Sequence, residues 1–138
     1  MNRELADAEQ SRNPLSVEEL TVRMEKWLSE GWQAVLFEID GGRKVVGYAV
    51  FQIGRDYYEP AIPEVYIRQF YITEQHRRQG LGRRAFALLV AEQLPAGSRV
   101  HLDVLSHNAR AQEFWASLGF RPYSVAMRYV PNANQAPS

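Results

Sequence analysis

No cysteine occurs in the 138 residues. Disulfide scaffolds, thiol nucleophiles and cysteine-ligated zinc are thereby excluded. Long apolar runs are missing as well: the longest, residues 85–91, falls far short of the ~20 residues that span a bilayer. The opening Met1-Asn2-Arg3-Glu4-Leu5-Ala6-Asp7 has no apolar stretch of the kind a signal peptide needs. The three histidines, His76, His101 and His107, share no ligand-type spacing, so no metal is expected. What is present has globular proportions, 46% hydrophobic and 23% charged residues. The expectation is one soluble, cytoplasmic domain over 1–138, with loose tails at 1–14 and 131–138.

The formal net charge is zero, but the charge is unevenly spread. Residues 1–64 hold 12 acidic and 7 basic groups, whereas residues 65–138 hold 4 and 9. That polarity suits a protein that holds a cation with one half and an anion with the other. A scatter of solvated charges fits the same counts.

Apolar positions Val17, Leu20, Met24, Trp27 and Leu28 follow the helical period and predict a helix over 17–30. Ser16 and Glu19 have the spacing of a capping box, Leu15 and Leu20 that of a hydrophobic staple, and Gly31 is the expected stop. Residues 33–39 and 44–53 read as a hairpin around Asp40-Gly41-Gly42. The strand at 64–73 changes phase, with Val65 and Ile67 apolar on odd positions and Phe70 and Ile72 on even ones. Such a slip predicts a β-bulge near Arg68-Gln69. A helix from Gly80, an alternating strand at 99–105 and a helix at 109–118 capped by Asn108 follow, then one or two short strands over 120–130. Strand, helix and strand from 64 to 105 are long enough for a parallel crossover, so the fold class is a mixed α/β (α+β) sandwich around one mixed sheet.

The densest chemical signal is Arg77-Arg78-Gln79-Gly80-Leu81-Gly82-Arg83-Arg84. Two glycines at a helix mouth let backbone N–H groups approach an anion, and the arginines add charge and donors. No Gly-Lys-Ser/Thr follows, so this is not a P-loop. The run from Gly80 to Ala85 also matches a dinucleotide fingerprint, with Asp103 about 20 residues on. It lacks the required context: Glu74 to Gln79 separate it from the strand, and too little chain follows for a second nucleotide-binding half. Asp103, Ser106 and His107 are too crowded for a hydrolase triad. Nucleic-acid phosphates are a rival target for the arginines, but the cluster is one loop in a chain of pI 6.8.

Three linked motifs resemble the GNAT superfamily of N-acetyltransferases. Arg77-x-x-Gly80-x-Gly82 is similar to its acetyl-CoA signature, and Phe70-Tyr71-Ile72 resembles the end of its bulged strand. Asn108-x-x-Ala111-x-x-Phe114-Trp115, followed by Leu118-Gly119-Phe120, resembles its second block. The resemblance covers residues 33–130 and implies a strand-helix-strand unit that binds acetyl-CoA, with the usual first strand and helix abbreviated or missing. It implies that pyrophosphate lies against the N–H groups of Arg78, Gln79, Gly80, Leu81 and Gly82, flanked by Arg77 and Arg83. Pantetheine would run along Phe70, Tyr71 and Ile72, and Asn108 would touch the cofactor or serve only as a helix cap.

The implied reaction moves an acetyl group to a primary amine by direct attack. Asp103 stands where some members of the family carry a glutamate base, and Glu64 opens the bulged strand, so these two are the candidate bases. Where many members carry a tyrosine that protonates the thiol, this chain has Trp115, whose indole cannot. Tyr123, Tyr71 or water could supply that proton. A non-catalytic acyl-CoA sensor is the alternative. Asp56, Tyr57, Tyr58, Glu59 and Glu64 could attract a cationic small-molecule or peptide amine, or merely form a solvated loop. No membrane or nucleic-acid partner is expected, and a homodimer is left open.

Overall fold

Left-handed backbone at Asp40, Gly41 and Gly42, with φ of 56°, 67° and 89°, turns the chain between its first two strands. Aspartate tolerates this region and glycine meets no Cβ penalty there. The strands are β1 (Gln33–Ile39) and β2 (Lys44–Arg55), two residues longer than expected. β3 (Pro63–Ile72) pairs antiparallel with β2, and β4 (Arg99–His101) pairs parallel with β3, giving the order β1-β2-β3-β4. The structure is a computed structural model that describes residues 17–77 and 79–132, the side chains of Val17, Glu18 and Leu20 excepted. The expected cap at Ser16, the staple of Leu15 and Leu20, the abbreviated N-terminus and most of the tail after 130 lie outside the described residues.

Helix α1 (Val17–Ser29) precedes the sheet, α2 (Leu81–Glu92) joins β3 to β4, and α3 (Ala109–Ser117) follows. The chain divides into two compact units between Asn108 and Ala109. In the first, α1 ends as the sequence predicts: Gly31 has φ 93°, and the Trp32 N–H donates to the Trp27 carbonyl at 3.0 Å. Trp27 then packs with Tyr48, Val50 and Tyr71 on one face of the sheet. The opposite face meets α2, where Phe70 touches Phe86 at 6.4 Å between ring centroids. Phe51, Val65 and Leu89 are fully buried, each stabilising the fold by roughly 1.5–3 kcal/mol.

The phase slip in β3 is a bulge. Val50 pairs with Gln69 and Phe51 with Ile67, which leaves Arg68 unopposed. The extra residue keeps Val65, Ile67, Phe70 and Ile72 on one buried face, all 7% exposed or less. β4 is shorter than the expected 99–105, so Asp103 lies beyond the strand. A strand needs a ladder, and β3 pairs with β4 only from Glu64 to Tyr66, before the bulge bends it away.

In the second unit α3 closes on Gly119, at φ 100°, with the Phe120 N–H donating to the Trp115 carbonyl at 3.1 Å. Trp115 packs edge-on between Phe114 and Phe120. The strands expected over 120–130 are not formed. This unit contains no other strand among the described residues, so that segment finds no ladder within it.

Gly47 sits where β2 passes closest to β3. A Cβ there would overlap the Tyr71 carbonyl oxygen and lie 2.9 Å from Ile72 Cδ1, whereas one at Gly54 would meet only the Glu64 carbonyl at 4.0 Å. Gly47→Ala is therefore expected to lower stability by about 1–3 kcal/mol in urea unfolding. Gly54→Ala should stay within about 0.5 kcal/mol of the parent.

Candidate active site

The bulge separates two edges that would otherwise stay paired. From Ile67 to Ile72, β3 keeps β2 on one edge and has no strand on the other among the described residues. Peptide groups on such an edge can bind an extended ligand as an added strand. Gln69 Oε1, next to the bulge, is buried and has no hydrogen-bond partner among the described residues. Phe70 is buried against Phe37 and Phe86, Tyr71 against Tyr48, and Ile72 is 7% exposed. These side chains hold the strand in place, and the peptide groups of Phe70, Tyr71 and Ile72 are what the edge offers.

A tight turn carries the chain from that edge to the start of α2. The Thr73 N–H donates to the Val46 carbonyl at 2.8 Å, and Thr73 Oγ1 lies 2.7 Å from Nδ1 of the buried His76. Arg77 folds back: its Nε donates to the Ile72 carbonyl at 3.0 Å and its guanidinium lies over the Tyr71 ring at 5.8 Å. Gln79 Nε2 donates to the Gln75 carbonyl at 3.3 Å. Gly80 is the N-cap of α2 in the left-handed conformation, φ 77°, and a Cβ there would stand in open space. Leu81, Gly82 and Arg83 form the first turn, whose N–H groups and dipole favour an anion. The residues present therefore fit a phosphate-bearing ligand with an extended arm. Arg78 lies outside the described residues. Asn108 directly precedes α3, and its N–H donates to the Leu105 carbonyl at 2.9 Å.

The two candidate carboxylates are both engaged, within a polar cluster built by the parallel register. Glu64 pairs with Arg99 and Tyr66 with His101 across β3 and β4. Glu64 Oε1 accepts from Arg99 at 3.5 Å, and Glu64 Oε2 contacts His101 Nε2. Arg99 also reaches Glu59 at 2.9 Å. Asp103 Oδ2 accepts from the Tyr66 hydroxyl at 2.5 Å. The sequence reading did not find Tyr66, Arg99 or His101. The signal was there, because Glu64 and Tyr66 are two apart, as are Arg99, His101 and Asp103, but it requires the strands to be laid side by side in register.

The acidic loop is also engaged. Asp56 Oδ2 accepts from the N–H groups of Tyr58 and Glu59 at 3.0 and 2.6 Å, which closes an Asx turn. Tyr57 and Tyr58 stand exposed above it, edge to face. Glu59 and Glu64 share Arg99. Among the described residues no group of three His, Asp or Glu side chains could hold a metal ion.

The deciding comparison is with known families. A family model described as the acetyltransferase (GNAT) family matches residues 2–120. The chain belongs to the GNAT acetyltransferases. Acyl transfer is the chemistry of that family, and its mixed α/β fold is the one described above. Solved structures agree. A tetramutant of a Bacillus halodurans protein is 25% identical with a TM-score of 0.67, covering 93% of this chain and 86% of that one. An acetyltransferase from Thermus thermophilus is 26% identical with a TM-score of 0.63, covering 79% and 67%. The glucosamine-6-phosphate N-acetyltransferase of Arabidopsis thaliana, 18% identical, shares the fold at a TM-score of 0.60 over 94% and 88%. No curated protein matches. No helix among the described residues is long and apolar enough to cross a membrane.

Tyr66 gives this GNAT site a titration of its own. Burial first, then the hydrogen bond to Asp103 and the charge of Asp103, push its phenol up to about 12, against a smaller opposing effect of Arg68. An unfolded tyrosine loses its proton near ~10. Between those values the folded state holds the extra proton, so this contribution to stability is complete below pH ~10 and is lost as pH rises through about 12. Ultraviolet titration should show one phenol ionising late, and Tyr66→Phe should remove that component.

Proposed function

We propose that this is a cytoplasmic N-acetyltransferase that takes its acetyl group from acetyl-CoA and passes it to a primary amine. The observation that carries the reading is the edge of β3 beyond Tyr66, which pairs with no strand among the described residues and leads through the Arg77 turn to the N-terminus of α2. One continuous track thus offers peptide groups for an amide-bearing arm, then uncapped N–H groups for a pyrophosphate. Phe70, Tyr71 and Ile72 would line the arm, with Arg77, Arg78, Gln79, Gly80, Leu81, Gly82 and Arg83 around the phosphates and Asn108 as a further contact. Residues 1–138 would act as one catalytic domain, in keeping with a family match that runs from 2 to 120.

The donor supplies an activated thioester. The acceptor nitrogen attacks its carbonyl carbon, a C–N bond forms, the C–S bond breaks, and the thiolate leaves. Before attack the ammonium must give up a proton. Glu64 is suited to take it, directly or through water, because Arg99 and His101 keep its carboxylate oriented and His101 can share the charge. Asp103 is the second carboxylate of the site. It holds the Tyr66 hydroxyl, which stays protonated throughout the working range. Solvent or a tyrosine returns a proton to the thiolate, and Trp115 has none of the required acidity.

Acetyl-CoA at ~100 times its dissociation constant should stabilise the protein by about 2.7 kcal/mol, read as a thermal shift of several degrees. With an amine acceptor, Glu64→Gln should lower kcat by about 100-fold or more while the thermal shift persists. Asp103→Asn tests the second carboxylate in the same assay. Full activity of both variants across pH would move the base elsewhere. Binding without turnover of any amine would instead favour an acyl-CoA sensor.

A further inference from the structure

Among the described residues one cation of the site has no anion beside it. Arg68, the unopposed residue of the bulge, is exposed, and its guanidinium lies between two indoles, 5.2 Å from Trp27 and 5.1 Å from Trp32. Trp32 in turn packs against the Tyr66 ring at 6.0 Å. Arg68 therefore belongs to the same face as Tyr66, Glu64 and their partners. The acids there have partners: Glu64 contacts Arg99 and His101, Glu59 contacts Arg99, and Asp103 accepts from the Tyr66 hydroxyl. Among the described residues no carboxylate reaches Arg68.

A guanidinium flanked by two indoles is held in place by cation–π attraction and loses part of its hydration. Its N–H donors then point from a fixed plane, the arrangement that receives a carboxylate through two parallel hydrogen bonds. Arg68 would repel a second ammonium group placed beside it and attract a carboxylate there. From these observations we infer that the acceptor is a primary amine carrying a carboxylate, with the carboxylate on Arg68 and the amine at the Glu64–His101 pair. The inference rests on the proposed N-acetyl transfer and names the acceptor class of that same site.

The test compares ω-amino acids of increasing chain length, each against its own carboxamide, which keeps the shape and removes the charge. Wild-type protein should prefer the acid of the best pair by at least about ten-fold in kcat/KM, the usual scale for a charge-assisted hydrogen bond. Arg68→Gln should bring that ratio close to one by raising KM for the acid, with kcat and the KM for acetyl-CoA little changed. Arg68→Lys should restore part of the preference, as a point charge without the fork. Should Arg68→Gln fail to fold, the wild-type ratios decide alone. Turnover with no preference for the acids, or an equal loss on acid and amide in Arg68→Gln, overturns the inference and leaves the proposed reaction standing. Binding of acetyl-CoA with no turnover of any pair overturns the inference, and the proposed reaction falls with it only if no other primary amine is turned over either.

Discussion

An extra residue in β3, with no partner on β2, is the constraint from which the site follows. Without the bulge, regular alternation through Arg68 would carry Phe70 and Ile72 away from Val65 and Ile67 to the α1 face, and the α2 side of the core would lose its continuity. With it, four apolar side chains stay on the buried face while the strand bends. The bend ends the parallel ladder with β4 at Tyr66 and His101. A packing requirement and an open strand edge thus have one physical origin. Neither can be kept without the other.

The same register gathers the polar groups. In a parallel pair the residues opposite each other advance together, so alternate positions on two neighbouring strands make a two-column array on one face. Glu64 and Tyr66 form one column, with Arg99 and His101 as the other and Asp103 just beyond it. Hydrogen bonds across the columns match acid to base, which is what permits a half-buried Glu64 to remain in place without the penalty of an isolated charge. On the other face a 160 Å³ groove lies between β1 and α2, lined by Phe37, Val46, Ala85 and Leu89 together with Glu38, Arg84 and Glu92. It holds none of the acid–base residues of the candidate site.

Local signals were legible in the sequence and pairwise ones were not. The helix ending at Gly31, the Asp40-Gly41-Gly42 turn and the bulge at Arg68 are each written in a few adjacent residues, through glycine's freedom at positive φ or a slip of period. The length of β4 and the absence of strands over 120–130 depend instead on whether a neighbouring edge is available, and no local pattern reports that. Likewise Glu64 and Asp103 could be picked out as carboxylates, but their partners His101, Arg99 and Tyr66 are 35–37 residues away and are set by strand register. Arg77 shows the same limit from another side. As a letter in the arginine cluster it reads as a phosphate ligand, yet its Nε closes the turn onto the Ile72 carbonyl.

That turn has a consequence for how the two halves of the proposed reaction can vary. In the proposed reaction donor recognition along β3 and at α2 would use peptide N–H and C=O groups held by Phe70, Tyr71, Ile72, Thr73 and Arg77, whose side chains are buried or folded back. Acceptor recognition on the α1 face would use side chains alone: Arg68, Tyr66, Glu64 and the indoles of Trp27 and Trp32. A change of side chain at exposed Arg68 leaves the backbone track intact, because the bulge is held by Val65, Ile67 and Phe70 on the opposite side of the strand, whereas Trp27 is packed with Tyr71 and tied to the track. One scaffold can accordingly keep its donor while its acceptor changes. The reverse is not open to it, since any shift that altered the track would have to move the core strand itself.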